Sequence, residues 1–158
     1  MSELMQDTIG NTVDKSAGES SDFAASANGD APFNPPAWEG VPLVHANLVL
    51  EGGAMRGQFT AGVLDFFMDQ KFFCDYVVGV SAGALCGGNY VAGAPGRSSL
   101  INVKYADDSR YLSMQSFVRT GNAYGREFAF HEIPDVLEPM DYEAFRRSPI
   151  RFEVVSTN

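Results

Sequence analysis

A serine set between glycines is the first residue in this chain that could do chemistry. Gly79-Val80-Ser81-Ala82-Gly83 fits G-x-S-x-G, with the apolar run Asp75–Val80 before it and the small-residue segment Ala82–Ala92 after it. A serine on a sharp strand-to-helix turn points its hydroxyl out over the sheet edge, at dihedrals strained by on the order of 1–3 kcal/mol. The flanking glycines remove Cβ atoms that would clash in the turn. The following helix puts its N-terminal dipole under the serine and aims the Ala82 N–H where an oxyanion would form. A glycine-rich turn closed by a capping serine has the same residues, and this motif alone does not separate the two.

A second glycine-rich stretch bears on that choice. Glu51-Gly52-Gly53-Ala54-Met55-Arg56-Gly57 follows the apolar run Asn47–Glu51 and opens a helical segment. Glycines there let backbone N–H groups approach an anion closely. A dinucleotide turn needs G-x-G-x-x-G, and Ala54 stands where the second glycine would be. No Gly-Lys-Ser/Thr is present either, so the phosphate loop of nucleotide-binding folds is excluded. A second oxyanion donor near the serine is the better account. One such donor contributes about 2.7–4 kcal/mol in hydrolases.

Other reactive residues are weaker candidates. A Ser–Asp–His order could use Ser81, Asp107 or Asp108, and His131, but Phe130-His131-Glu132 reads as an exposed stretch of helix. His45 precedes the first strand and reads as a surface residue. Cys86 reads as a small core side chain. Arg56 fits either anion binding or bracing of the turn. Phe66, Phe67, Phe72, Phe73 and Tyr76 read as core, with an acyl-chain wall as the sharper alternative.

The elements that must position these residues alternate. Asn47–Glu51 is a short buried strand. Gly57–Gln70 carries a helical stripe of Phe59, Val63, Phe66 and Phe67. Asp75–Val80 is a second strand, and Ala82–Ala92 a helix ended by Pro95-Gly96. Strand, helix, strand, helix means a parallel sheet with crossover helices. Further helices are expected over Arg97–Asp107, Ser113–Arg119, Arg126–Glu132 and Asp141–Arg147, and a strand over Ile150–Ser156. Such a half-sheet leaves an open edge and an apolar face, which predicts poor solubility of the isolated chain.

The 158 residues suffice for one core, with 45% hydrophobic and 20% charged side chains. The net charge of −9 argues against nucleic acid as a partner. Much of it lies in residues 1–40, which hold seven acids and one base and read as a disordered acidic tail, with Trp38 anchoring its end. Two cysteines make no disulfide framework and no metal-ligand spacing, which favours a reducing compartment. Tyr76–Gly96 is uncharged but holds six glycines, too poor in apolar side chains for a membrane span.

EGGAMRG and GVSAG together resemble the patatin-like phospholipase family. There a D-G-G-G-x-R/K-G oxyanion loop follows the first strand, and G-x-S-x-G forms the nucleophile elbow. The resemblance spans residues 46–158, and FCDYVVGVSAGAL and YEAFRRSPIRFEVVSTN are most similar to bacterial members. It implies an α/β parallel-sheet, three-layer patatin-like hydrolase fold, with residues 41–158 as the N-terminal portion of the domain. By the same resemblance Ser81 is the nucleophile of a lipid acyl hydrolase. Gly52, Gly53, Ala54 and Met55, with the Ala82 N–H, form the oxyanion hole. Arg56 is the loop's basic residue, and Glu51, Gly57, Gly79 and Gly83 fill the remaining motif positions. Glu51 replaces the usual aspartate and Ala54 a glycine; an alanine fits this loop where its φ is negative. The family's Ser–Asp dyad uses no histidine, metal or cofactor, and its aspartate lies downstream in Asp-Gly-Gly or Asp-Gly-Ala.

No Asp-Gly dipeptide occurs in this chain. The expectation is therefore a fragment, inactive as it stands for want of its aspartate. The alternative is a truncated, non-catalytic remnant or binding protein. The expected substrate is a phospholipid or other acyl ester, met by a cytoplasmic protein with peripheral contact at a membrane surface.

Overall fold

A computed structural model describes residues 34–108, 110, 111, 125 and 127–156. Three strands form a parallel sheet in the order β1-β2-β3: β1 (Val44–Leu50), β2 (Cys74–Val80) and β3 (Arg151–Val155). Helix α1 (Gly57–Asp69) joins β1 to β2, and α2 (Ala82–Ala92) leaves β2. Then come α3 (Arg97–Lys104), α4 (Phe128–Leu137, wound as a π-helix) and α5 (Tyr142–Arg147). The parallel order follows from the alternation of apolar runs with helical segments. The expected helix over Ser113–Arg119 lies outside the described residues.

Strand β2 is central. Its Leu48↔Val77 and Leu50↔Gly79 pairings with β1, and Val77↔Phe152 with β3, set one face toward the helices. On that face Leu50 and Val77 join Leu64, Met68, Phe73, Tyr90 and Val91 in one core. The other face carries Asn47, Val49, Tyr76, Val78, Glu153 and Val155, and Val49 is 73% exposed. The described residues thus supply the sheet and a helical layer on one of its faces. Tyr90 ties the two layers: its hydroxyl donates to the Phe72 carbonyl at 2.8 Å and accepts from the Cys74 N–H at 2.9 Å. Trp38 is buried, and its indole donates to the Val91 carbonyl at 2.8 Å, so it anchors the chain ahead of β1 on α2.

Helix α1 corrects the expected stripe. Its buried residues are Gly57, Ala61, Leu64 and Met68, whereas Phe59 is 80% and Phe66 61% exposed. The cause is the close approach of α2. A Cβ on Gly57 would lie 2.9 Å from the Ala82 Cβ, so only the smallest residues fit between the helices. Phe67 packs edge-on against Phe72 with ring centroids 5.0 Å apart. Asp65 accepts from the Gly96 N–H at 2.7 Å and the Ser99 hydroxyl at 2.6 Å, fixing the start of α3.

Helix α4 also departs from expectation, running through Pro134 to Leu137 rather than ending at Glu132. Proline normally clashes with the carbonyl four residues back, and π winding moves that carbonyl away from the ring. Strand β1 starts at Val44, earlier than Asn47, because its first residues pair with β2 although their side chains are exposed.

His45 on β1 faces Asp75 on β2, Nδ1 to Oδ2 at 2.6 Å. That hydrogen bond and the aspartate's charge raise the His45 pKa above 6.5, and the same bond holds the Asp75 carboxyl below 3.8. The histidine's contribution to stability is complete below its unfolded pKa and is lost as pH rises through its higher folded value. The aspartate's is complete above its unfolded pKa and is lost as pH falls through its lower folded value. The pair is therefore strongest between about pH 4 and pH 6.5. An NMR titration of the His45 imidazole is expected to give a midpoint above 6.5, and Asp75→Asn to bring it back. An unchanged midpoint in Asp75→Asn would rule the pair out in solution.

Candidate functional site

The chain leaves β2 at Val80 and enters α2 at Ala82, so Ser81 alone makes the turn. Its dihedrals are φ 52° and ψ −121°, in the left-handed half of the map that a side chain rarely occupies. Such strain costs on the order of 1–3 kcal/mol and persists only where the surroundings fix it. The glycines on either side do so. A Cβ on Gly79 would lie 2.6 Å from the Ala84 Cα, and one on Gly83 2.3 Å from the Leu50 carbonyl oxygen. Helix α2 therefore folds tightly against both its own strand and the end of β1.

The Ser81 carbonyl accepts from the Ala84 and Leu85 N–H groups at 2.9 and 3.2 Å, but its hydroxyl makes no capping bond. Among the described residues that hydroxyl has no hydrogen-bond partner, and Ser81 is exposed. A serine present only to cap α2 would spend its hydroxyl on an N–H of the first turn.

Parallel pairing of Leu50 with Gly79 sends the loops after β1 and β2 out at the same edge of the sheet. Gly52 comes to rest beside Ser81, where an added Cβ would stand 3.2 Å from the Ser81 Cβ. The two motifs, separate in sequence, meet there. Ala54–Arg56 forms one tight helical turn leading into α1. Among the described residues no protein acceptor takes the N–H of Gly53, Ala54, Met55 or Ala82.

Ala54 corrects the expectation of a negative φ, since it lies at 46°. Left-handed geometry costs a non-glycine residue roughly 1–2 kcal/mol, and here the loop imposes it between Gly53 and the start of α1. Arg56 is exposed and folds back over Gly53, its Nε 3.4 Å from where a Cβ would be. Among the described residues it has no carboxylate partner. Glu51 is exposed, and its carbonyl oxygen lies 2.6 Å from where a Gly83 Cβ would be.

A cavity of about 350 Å³ opens from this edge, with Ala54 and Ala82 in its wall. Leu85, Ile101, Phe130, Ile133 and Phe145 make most of the rest apolar. Phe66, Phe67, Phe72, Phe73 and Tyr76 take no part in it, and Phe73 is wholly buried in the core. The residues the sequence reading missed are Asn89, Arg97, Ser98, Asn102, Tyr111 and Tyr142, which give this wall its polar groups. One signal existed: Arg97 is the first charged residue after the uncharged stretch Tyr76–Gly96.

The Ser–Asp–His alternative is not assembled. His131 faces Asp135 at 3.9 Å on the exposed side of α4, and Asp108 is held by Arg110 at 2.8 Å. Cys86 is buried against the Gly57 carbonyl at 3.6 Å, and burial pushes its thiol pKa up, away from the reactive thiolate. No helix among the described residues is long and apolar enough to cross a membrane.

Comparison with known proteins adds to this geometry. The model of the patatin-like phospholipase family matches residues 48–155. An uncharacterized protein of Escherichia coli, YjjU, is 41% identical over 76 residues. That stretch is 48% of this chain and 21% of the relative, so the match spans about a fifth of the relative's length. No solved structure matches the chain.

Proposed function

The chain belongs to the patatin-like phospholipase family, and from that premise we propose that it carries the nucleophile and oxyanion hole of a lipid acyl hydrolase. The observation behind this reading is the meeting of Gly52 with Ser81 at one sheet edge. In it the Ser81 Oγ attacks the ester carbonyl carbon and gives its proton to a base. The carbonyl oxygen becomes an oxyanion, held by N–H groups of the Gly52–Met55 loop and by the Ala82 N–H. The acyl–oxygen bond then breaks and the alcohol leaves with a proton. Water attacks the acyl-serine, releases the carboxylic acid and restores the Ser81 hydroxyl.

The base in this reading is the dyad aspartate of the family. The unused N–H groups of Gly53, Ala54 and Met55 support a second reading, a binding relative whose loop accepts an anion without turnover. The substrate we assign is a phospholipid or similar acyl ester, met at a membrane surface by a cytoplasmic protein. Exposed Phe59 and Phe66, on the helix that follows the loop, support that surface contact.

Phosphonylation separates the two readings without turnover. An alkyl fluorophosphonate bonds to an activated serine oxygen and expels fluoride. Intact-mass and peptide analysis are expected to place one adduct on Ser81, formed faster than in urea and absent from Ser81→Ala. Adducts spread over several serines, or equal rates with and without urea, would reject an activated Ser81.

A further inference from the structure

Arg97 opens α3 and lies against the cavity that also touches Ala54 and Ala82. Its Nη1 donates to the Asn89 Oδ1 at 2.6 Å, and its Nη2 donates to the Glu138 carbonyl. Asn89 is itself locked, its Nδ2 donating to the Ser98 Oγ at 2.8 Å and the Leu85 carbonyl at 3.1 Å. The guanidinium is thus held in one orientation by neutral groups. Its Nε is buried and has no partner among the described residues. No described carboxylate is within ion-pair distance of it; the nearby Glu138 carboxylate is engaged by Lys104. Burial lowers the Arg97 pKa against an opposing pull from the Glu138 carboxylate, and an arginine stays charged.

A half-buried charge held by neutral dipoles gains when an anion meets it. The wall beside it is apolar, with Leu85, Ile101, Phe130 and Ile133. The volume of about 350 Å³ lies in the range of small-molecule sites. We propose that Arg97 receives the anionic head, a phosphate or carboxylate oxygen, of an amphiphile whose alkyl chain runs along Leu85, Ile101, Phe130 and Ile133. A planar guanidinium suits such oxyanions, and its free Nε–H is one of the five donors in the fork. Read as substrate preference, this rests on the hydrolase assignment and selects anionic acyl lipids over neutral esters. Read as binding, it needs no chemistry at Ser81.

The test is therefore made on the full chain carrying Ser81→Ala, by calorimetric titration below micelle formation. The probes are dodecyl phosphate, dodecanoate, dodecanol and inorganic phosphate. Both anionic amphiphiles are expected to bind saturably, roughly tenfold or more tighter than dodecanol, with inorganic phosphate weaker still. Arg97→Lys is expected to weaken the anionic probes roughly tenfold and leave dodecanol unchanged, and Arg97→Met to erase the difference between heads. In the ¹⁵N spectrum the Arg97 Nε–H resonance is expected to shift with the anionic probes alone. Equal binding of dodecanol and dodecyl phosphate would overturn the proposal. So would inorganic phosphate binding as tightly as dodecyl phosphate, which would make this a free-anion site. If Arg97→Met does not fold, the head-group series on the parent and on Arg97→Lys decides. Failure of the hydrolase reading shows elsewhere, as absent phosphonylation at Ser81 with this series intact.

Discussion

Alanine at Gly83 is expected to lower stability by more than about 3 kcal/mol, a fall of roughly 10 °C in Tm, and to abolish any activity of Ser81. The added Cβ would lie 2.3 Å from the Leu50 carbonyl oxygen and 2.6 Å from that of Glu51. Both are backbone atoms of the turn that leads into the glycine-rich loop, so no rotamer change relieves the clash. Either α2 lifts off the end of β1 or the loop moves away from Ser81. Each route also opens the core, because α2 carries Cys86, Tyr90 and Val91 into it. Gly62→Ala is the control. Gly62 lies on the exposed side of α1 with nothing within 4 Å of its would-be Cβ, and helix propensity alone predicts a gain of about 0.5–1 kcal/mol. Thermal melts of the two variants and the parent decide it. A Gly83→Ala chain as stable as the parent would mean that α2 does not press on β1 as described.

The parts of this site legible in sequence were those fixed by local chain chemistry. An apolar run closed by a glycine-rich turn can be read as a strand, and strands β1 and β2 lie over the expected Asn47–Glu51 and Asp75–Val80, with β1 starting three residues earlier. Helix α2 begins and ends at Ala82 and Ala92, as its sequence indicates, because Gly79, Gly83 and Pro95 are local signals. What escaped was set by tertiary approach. The phenylalanines of α1 outrank Ala61 and Gly57 in hydrophobicity, yet the helix buries its small face because α2 must come close. Pro134 suggests a break, and only the winding of α4 removes it. Ala54 at φ 46° depends on how the loop closes beside Ser81, which a residue type does not encode. Arg97 looked like an ordinary helix-opening charge; its isolation depends on Asn89 from α2 and Glu138 after α4, which the fold alone brings together.

Ester hydrolysis by this chain is expected to be at least about four orders of magnitude below that of a complete serine hydrolase, and to fall by no more than about a hundredfold further in Ser81→Ala. In the proposed reading the Gly52–Met55 loop serves Ser81 as oxyanion hole, and this chain holds no Asp-Gly aspartate. In a serine protease triad, losing the aspartate alone costs about 3 × 10⁴ in kcat, and losing the serine about 2 × 10⁶. Those losses are not additive, because the residues act as a unit. The triad keeps its histidine base when the aspartate goes and a dyad does not, so the ratio of those losses, roughly a hundredfold, is the most that the nucleophile can still contribute here. The residual rate comes from substrate binding and oxyanion donors, which Ser81→Ala leaves in place. Hydrolysis of a chromogenic acyl ester by parent and variant, on protein shown by circular dichroism to be folded, measures both steps. Equal low rates would mean that Ser81 has no base in this chain. A parent rate matching a complete dyad would mean that a base other than an Asp-Gly aspartate serves Ser81. The carboxylates to replace next would then be the described ones nearest that edge, beginning with Glu51, which leads the loop beside Ser81.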